Sequence, residues 1–216
     1  ELAYFCIMQT ASFSIEDSLS NLQIKALNEM QLASLEANKS SDSVVLLADT
    51  GSGKTLAFLL PIAQLLEKDS KVSQAMIIVS SRELALQIEQ VFKKMGTGFK
   101  ITCCYGGHLR ETEENNLKQA PSLSVGTPGR LADHIRRGNI VTTHIETLVL
   151  DEFDKCLEVG FENEMKEIIS FLPNLNKRIL TSATKGVKIP NFIRLDKPII
   201  IDYLKEKTTT TTTTTT

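Results

Sequence analysis

Residues 44–55 read Val-Val-Leu-Leu-Ala-Asp-Thr-Gly-Ser-Gly-Lys-Thr, and this stretch decides the fold. Its first four residues form an apolar run with the character of a buried strand, and the apolar residues 56–60 that follow have the character of a helix. A strand, a glycine-rich turn and a helix in this order are the context of the phosphate-binding loop Gly-x-x-x-x-Gly-Lys-Ser/Thr. Ala48 stands at the first glycine position, while the end of the pattern is intact.

The residue types of this loop suit a phosphate ligand. Gly51 and Gly53 can adopt positive φ angles, which lets backbone N–H groups close around an anion. Lys54 would reach the β- and γ-phosphates of a nucleotide, and the Thr55 hydroxyl would ligate Mg²⁺. The predicted nucleotide cradle comprises Ala48, Asp49, Thr50, Gly51, Ser52, Gly53, Lys54 and Thr55. A solvated Gly/Ser turn with a surface lysine is the alternative, and the flanking strand and helix argue against it.

Short apolar runs alternate with helical stretches along the rest of the chain. Strands are predicted at 75–79, 100–105, 122–125, 147–150, 178–181 and 198–201, and helices from the loop to about 68 and at 82–95, 108–118, 130–137 and 163–172. Asn28 with Gln31 three residues later predicts a capped helix start. The alternation predicts an α/β fold with a mostly parallel central sheet and helices on both faces. Polar clusters that follow strands are then expected to meet at the carboxyl edge of the sheet.

A second polar cluster follows the predicted strand 147–150. Asp151 and Glu152 stand where an ATPase with a phosphate-binding loop carries its second acidic motif. Asp151 is predicted to hold Mg²⁺, and Glu152 to orient or deprotonate the attacking water. Lys54, Asp151 and Glu152 are therefore the candidate catalytic residues, with Thr55 and Asp151 as the metal ligands. Solvated acids at a strand end are the alternative, which the phosphate-binding loop in the same pattern disfavours.

Bulk composition and length fit a soluble globular protein of one domain, or at most two small ones. The 216 residues are 42% hydrophobic and 23% charged, with a net charge of −2, so a nucleic acid would have to be held by a local basic surface. No apolar run is long enough for a membrane helix, and we expect no membrane partner. The four cysteines and three histidines have no metal-like spacing, which favours reduced thiols and a cytoplasmic protein. Cys103 and Cys104 are expected to face opposite sides of the sheet.

With these elements in place, the chain over residues 24–202 resembles the first RecA-like domain of the DEAD-box RNA helicases. Each of several short motifs follows a predicted strand, in the family's order. The matching stretches are the phosphate-binding loop, Ser80-Ser81-Arg82-Glu83-Leu84-Ala85, Gly106-Gly107, Thr127-Pro128-Gly129-Arg130, Asp151-Glu152-Phe153-Asp154 and Ser182-Ala183-Thr184.

The resemblance implies further residue roles. ATP and Mg²⁺ are the implied cofactors, and Gln31 would hydrogen-bond the adenine edge. Ser182 and Thr184 would hydrogen-bond Asp154 and couple nucleotide state to domain closure. RNA would be the partner, its sugar-phosphate backbone contacted by Arg82, Gly107, Thr127 and Arg130.

The chain also departs from the family pattern. Phe153 replaces an alanine, so a large ring must be accommodated without loss of a catalytic group. Ser80-Ser81 replaces Pro-Thr and is expected to alter an RNA contact. The glycine and proline that usually precede Gln31 are missing, and neither Phe5 nor Phe13 has the spacing of the family's upstream aromatic residue.

The resemblance also divides the chain. Residues 21–207 are assigned to the helicase ATP-binding domain, residues 1–20 to an N-terminal extension, and the nine threonines 208–216 to a tail without function. The family needs a second RecA-like domain with arginines that complete the ATP site, and no such motif follows Thr184. We therefore expect a monomer that binds ATP, holds RNA weakly and is nearly inactive alone. A DNA-dependent ATPase and a non-catalytic nucleotide-gated scaffold are the alternatives.

Overall fold

The computed structural model describes residues 13–68, 70–107 and 109–204. Its centre is a seven-stranded sheet in the order β3-β4-β2-β5-β6-β1-β7, and all the pairings are parallel. The strands are β1 (Ser43–Ala48), β2 (Ala75–Ile78), β3 (Ile101–Cys104), β4 (Leu123–Gly126), β5 (Thr147–Leu150), β6 (Lys177–Ser182) and β7 (Ile199–Tyr203). The predicted α/β fold with a parallel central sheet is confirmed, each strand lying within two residues of its predicted bounds.

Helices connect the strands. They are α1 (Ile15–Asn21), α2 (Glu29–Ser40), α3 (Lys54–Leu65), α4 (Arg82–Lys94), α5 (Arg110–Leu117), α6 (Pro128–Arg136), α7 (Phe153–Val159) and α8 (Glu162–Ser170), with a 3₁₀ turn at Asn191–Ile193. The sequence did not predict α1 or α7, each of only seven residues, and the helix predicted to reach residue 68 ends at Leu65. The capped start of α2 is confirmed, because Asn28 and Gln31 form a reciprocal capping box.

The two faces of the sheet bury alternate residues of the same strands. On one face Ile78 and Leu150 belong to a core with side chains of α6, α7 and α8, including Leu131 and Ile168. On the other face Ile77 and its neighbours pack with side chains of α3 and α4, including Phe58 and Phe92. Cys104 belongs to the first core and Cys103 packs against the second, as the strand period predicts. Helices therefore cover both faces, which leaves the ends of the strands as the place for a site.

The short helix α1 is attached to the second core. Ile15 and Leu19 pack against it, and the Ser18 hydroxyl donates to the Met95 carbonyl oxygen at 3.0 Å. The folded unit therefore takes in residues that the sequence assigned to an extension ending at residue 20. Residues 1–12, His108 and the threonines 208–216 lie outside the described residues, as do Cys6 and Phe5. None of the helices in the described ranges has the length and apolar character needed to cross a membrane.

Candidate functional site

Every predicted motif follows a strand, and the sheet order sorts these motifs into two neighbouring groups. Segments after β5, β6 and β1 lie side by side and carry the acidic motif, residues 182–184 and the phosphate-binding loop. Segments after β3, β4 and β2 form the other group and carry Gly106-Gly107, residues 127–130 and residues 80–85. Because all strands are parallel, both groups lie on the carboxyl edge of the sheet. The predicted nucleotide residues and the predicted RNA residues thus lie on adjacent halves of the same edge of the sheet.

The phosphate-binding loop has the backbone that the sequence predicts. It leaves β1 at Ala48 and enters α3 at Lys54. Gly51 and Gly53 have φ angles of 79° and 94°, in the region that only glycine enters without strain. A Cβ atom at residue 53 would lie 2.6 Å from the Gln31 side-chain nitrogen, so any other residue there would have to displace the Gln31 amide.

Lys54 folds back onto its own loop. Its Nζ donates to the carbonyl oxygens of Ala48 at 2.5 Å and Asp49 at 2.8 Å, and the residue is only 7% exposed. Burial lowers the pKa of the ammonium group, while the carboxylates of Asp151 and Glu152 oppose that shift. The lysine and the acidic motif therefore lie close enough to interact, and a phosphate would have to draw the ammonium group away from the two carbonyl oxygens.

Asp151 is a buried carboxyl group held by a residue that the sequence analysis missed. The Thr181 hydroxyl donates to Asp151 Oδ1 at 2.5 Å and accepts the backbone N–H of Glu152 at 2.9 Å. Burial raises the pKa of Asp151 to about 6, although the Thr181 bond and Lys54 both lower it. The available signal was Thr181 itself, a hydroxyl residue at the end of an apolar strand, directly before Ser182-Ala183-Thr184.

Glu152 has φ 48° and ψ 52°, the left-handed conformation that residues other than glycine rarely adopt. Such a conformation costs on the order of 1–3 kcal/mol and persists only where surrounding contacts impose it. Here the contact is the bond from its backbone N–H to Thr181. The strain places the half-exposed Glu152 side chain at the turn between β5 and α7, beside the buried Asp151.

The oxygen donors at this edge fit a magnesium ion. A hydroxyl group and a carboxylate are ligands that Mg²⁺ takes, and Thr55 and Asp151 supply them. Burial raises the pKa of Asp151, and Thr181 and Lys54 offset this only in part. A divalent cation bound beside the carboxylate would stabilise its charged form.

The predicted hydrogen bonds from Ser182 and Thr184 to Asp154 are wrong for this structure. The Ser182 hydroxyl accepts the Thr184 backbone N–H at 2.9 Å and donates to the Thr184 carbonyl oxygen at 3.1 Å. Both carboxylate oxygens of Asp154 are buried and have no hydrogen-bond partner among the described residues. The physical reason is local, because a serine hydroxyl bonds easily to backbone two residues away and forms a turn of its own.

Gln31 also uses its amide within the protein. Its Oε1 accepts the backbone N–H of Asn28 at 2.9 Å, and its Nε2 donates to the Gly53 carbonyl oxygen at 3.2 Å. Asn28 makes a parallel contact, donating from Nδ2 to the Ser52 carbonyl oxygen at 3.1 Å. The start of α2 is thus attached to the phosphate-binding loop. Adenine recognition by Gln31 stays a prediction, and it would require one of these bonds to be exchanged.

The predicted RNA residues form a second surface. Arg82 is exposed at the first position of α4, and its guanidinium carbon lies 4.8 Å from the centre of the Tyr105 ring. Gly107 has φ 92°, and a Cβ atom there would approach Arg82 Nη1 to 3.7 Å. Thr127 directly precedes α6 at the N-cap position without a side-chain capping bond, and Arg130 in the first turn pairs with Glu113 at 3.3 Å. Sequence reasoning missed Tyr105 and Glu113, which contact residues far away in the chain.

Comparisons with known proteins agree with this architecture. The model of the family described as DEAD/DEAH box helicase matches residues 28–191. The chain is 42% identical over 170 residues to the ATP-dependent RNA helicase HAS1 of Candida albicans, covering 74% of this chain and 30% of that protein. It is 35% identical over 183 residues to the ATP-dependent RNA helicase DeaD of Escherichia coli K12, covering 83% of this chain and 29% of that protein.

Solved structures show the same fold. A DEAD box protein from the hyperthermophile Methanococcus jannaschii superposes with a TM-score of 0.78 at 26% identity, covering 92% of this chain and 55% of that chain. A hypothetical ATP-dependent RNA helicase from Sulfolobus tokodaii gives a TM-score of 0.75 at 28% identity, covering 88% and 57%. The chain thus spans about a third of the length of the curated relatives it matches, at 29% to 34%.

Proposed function

Since this chain belongs to the DEAD/DEAH box helicase family, we propose that it is the ATP-binding, RecA-like part of an enzyme that uses ATP to remodel RNA duplexes or RNA–protein complexes. The two relatives described above are both named ATP-dependent RNA helicases. The observation that carries the proposal is the meeting of Lys54 with Asp151 and Glu152 at the carboxyl edge of the sheet. A scaffold without catalysis would have no need for a buried lysine beside a buried aspartate and a glutamate with a strained backbone.

In the proposed reaction Lys54 leaves the carbonyl oxygens of Ala48 and Asp49 and binds the β- and γ-phosphate oxygens of ATP. Thr55 and Asp151 would hold Mg²⁺, directly or through water, and the ion would neutralise charge that develops on the phosphoryl group. Glu152 orients the attacking water and accepts its proton. Thr181 keeps the acidic pair in place, because it bonds both the Asp151 carboxylate and the Glu152 backbone.

RNA would lie along the neighbouring half of the carboxyl edge. Arg82, Gly107, Thr127 and Arg130 are proposed to contact its sugar-phosphate backbone, which positions a strand without reading its sequence. Coupling between the two halves is proposed for Asp154, Ser182 and Thr184, with the buried and unpartnered carboxylate of Asp154 as its support.

The cellular setting is part of the proposal. Cys103, Cys104 and Cys156 are unpaired thiols, and burial raises the pKa of Cys103 and of Cys156 to about 12, so they are inert. We propose a cytoplasmic location, for which the free thiols among the described residues are the support. We also propose that the protein acts as a monomer, with a second RecA-like domain in the longer protein supplying the rest of the RNA surface and the ATP site.

The experiment is a measurement of ATP hydrolysis by the longer protein, with and without RNA, beside two variants. Lys54→Ala should abolish nucleotide binding, whereas Glu152→Gln should keep binding and lower turnover by orders of magnitude. A DNA strand of the same sequence discriminates between the nucleic acids, because only RNA offers the 2′-hydroxyl group. Equal stimulation by DNA would replace the RNA assignment, and unchanged turnover in both variants would overturn the enzyme assignment.

A further inference from the structure

A single buried carboxylate connects the two segments that carry the predicted RNA contacts. Glu113 lies in α5 and is 1% exposed, and a glutamate is rarely so buried unless its carboxylate is paired with a cation or hydrogen-bond donors. Its Oε1 accepts the backbone N–H of Tyr105 at 2.8 Å. Its Oε2 lies 3.3 Å from Arg130 Nη1 and 2.5 Å from His134 Nε2. The carboxylate therefore joins the end of β3 to the first turns of α6.

Both ends of this connection reach residues assigned to RNA. Arg130 is itself one of them, and its guanidinium group carries five N–H donors, so the contact through Nη1 leaves donors for a phosphate. Tyr105 directly precedes Gly106-Gly107, and its ring lies under the guanidinium group of Arg82. A cation over an aromatic ring is held in a defined place, which matters for a long and flexible side chain. Glu113 thus touches one arginine and fixes the backbone that supports the other.

His134 completes the network from the helix side. It is fully buried, and Asn139 Nδ2 donates to its Nδ1 at 3.0 Å. The ring hydrogen is then on Nε2, which donates to Glu113. The carboxylate accordingly receives hydrogen bonds from a backbone amide, a guanidinium group and an imidazole, and such charge-assisted bonds are shorter and stronger than neutral ones. Three hydrogen bonds to one buried carboxylate restrict the positions of the groups that donate them.

We propose that Glu113 is a positioning residue for RNA binding, which holds the Tyr105–Gly107 corner and Arg130 in one fixed arrangement so that Arg82 and Arg130 can grip the same strand. This inference rests on the proposed function. Glu113 does not touch RNA in this proposal. It acts through Tyr105 and Arg130, and its loss leaves both arginines in the protein but no longer in a common geometry.

A metal ion is the competing explanation for this cluster. Ligand atoms of Cys104, Glu113 and His134 lie within 4.8 Å of one another, all of them buried. Three observations disfavour an ion. The guanidinium group of Arg130 lies against the same carboxylate oxygen, burial raises the pKa of the Cys104 thiol well above its usual range, and His134 Nε2 already donates to Glu113. A metal would need a thiolate and a free imidazole nitrogen.

The test is RNA binding by this chain and by the longer protein, with Glu113→Ala, Glu113→Gln and the matched control Glu111→Gln, an exposed glutamate of the same helix. Glu113→Ala should weaken RNA binding about tenfold, and the dependence of affinity on salt should become shallower because fewer phosphates are contacted. Affinity for Mg·ATP should stay unchanged. In the longer protein the RNA concentration for half-maximal ATP turnover should rise, while turnover at saturating RNA stays near that of the unmodified protein. Glu113→Gln keeps the volume and should show the same changes more weakly.

A double-mutant cycle separates positioning from general damage. If Glu113 acts through Arg130, the Glu113→Ala/Arg130→Ala pair should lose less RNA affinity than the sum of the two single losses. The inference is overturned if RNA affinity, measured below the unfolding temperature of each variant, matches that of Glu111→Gln. It is also overturned if the purified protein holds one equivalent of zinc that Glu113→Ala loses. If Arg130→Ala binds RNA as well as the unmodified chain, it is the proposed function of this surface that fails.

Discussion

The hydroxyl group of Thr181 donates to the carboxylate of Asp151 at 2.5 Å, a contact between the ends of β6 and β5. The same oxygen accepts the backbone N–H of Glu152. One side chain therefore bonds both members of the acidic pair, and Glu152 has a left-handed backbone at the same turn. A strained residue beside a buried carboxylate supports the catalytic role proposed for the two acids.

Thr181→Val should weaken the site while keeping the shape of the side chain. It leaves the Asp151 carboxylate and the Glu152 N–H without their shared partner, which should lower the free energy of unfolding by about 1–3 kcal/mol. ATP turnover by the longer protein should fall as well, because Glu152 is no longer held. Thr181→Ser keeps the hydroxyl and serves as the control. Equal turnover in Val and Ser variants would contradict the role given to Thr181.

Asp151 should make the stability of the metal-free chain depend on pH. Its folded pKa of about 6 exceeds the ordinary value of 3.8, so the folded chain binds more protons between these values and stability falls as the pH rises through that window. Above about pH 6 the buried Asp151 carboxylate is charged and lowers the free energy of unfolding by its full amount, on the order of 3 kcal/mol. Asp151→Asn should therefore be the more stable protein at about pH 8, with a difference that shrinks towards pH 4.

Denaturant unfolding in a metal-free buffer measures this difference. Asp202→Asn is the control of opposite sign, because the hydrogen bond from Lys185 lowers the pKa of Asp202. The unmodified chain should be favoured over that variant above the ordinary pKa and lose its advantage as the pH falls. An Asp151→Asn protein that is less stable than the unmodified chain at every pH would contradict the buried charge.

Phe153 stands where the family usually has alanine, and its ring is part of the core. It is 1% exposed and packs in the core with side chains of α6 and α8. Phe153→Ala should therefore leave a cavity and lower the free energy of unfolding by about 3–5 kcal/mol. Phe153→Leu should cost clearly less. Thermal unfolding of the three proteins measures the effect, and a stability gain in the alanine variant would mean that the ring is strained.

The sequence predicted most of the fold because the strands are short apolar runs and each functional motif follows one. Parallel strands then bring Lys54 and Asp151 to one edge without any further information. The helices α1 and α7 were missed because seven residues give too little periodicity to separate a helix from a turn.

The sequence predicted only those site residues that belong to a short contiguous motif. Thr181, Tyr105 and Glu113 contact partners that are distant in sequence, and no spacing rule reveals such pairs. The hydrogen bond predicted from Ser182 to Asp154 failed for the opposite reason, since the Ser182 hydroxyl bonds locally to the Thr184 backbone. Tertiary contacts of single polar side chains are thus what pattern analysis leaves undetermined.

Gln31 should determine whether adenine nucleotides are preferred. With ligand at about 100 times its dissociation constant, Mg·ADP should stabilise the chain by about 2.7 kcal/mol, and GDP at the same concentration should stabilise it less. Gln31→Ala should remove this preference and also lose the capping box, about 1 kcal/mol of stability without ligand. Asn28→Ala, which loses the cap but keeps the Gln31 amide, is the control. Equal thermal shifts with ADP and GDP in the unmodified chain would exclude the adenine role.

The final prediction concerns catalysis by this chain alone, which should bind Mg·ATP but hydrolyse it about 10³-fold or more slowly than the longer protein. In the proposed complex Lys54, the two acids and a magnesium ion would cover one side of the γ-phosphate. Charge that develops during transfer also needs a cation from the other side, and an arginine supplied there contributes roughly 10³–10⁵ in rate. Beyond Thr184 the chain has a single arginine, Arg194, which follows the 3₁₀ turn and belongs to none of the predicted motifs.

RNA binding should be limited in the same way. Arg82 and Arg130 would supply only part of the proposed RNA surface, and a net charge of −2 gives little general attraction for a polyanion. Affinity of this chain for single-stranded RNA should therefore be weak, should fall steeply with salt and should hardly change when ATP is added. The measurement is RNA-stimulated ATP turnover of this chain beside the longer protein at equal concentrations. A turnover close to that of the longer protein would mean that the nucleotide site is complete within these residues, because no arginine from a second domain would then be needed to stabilise the transition state.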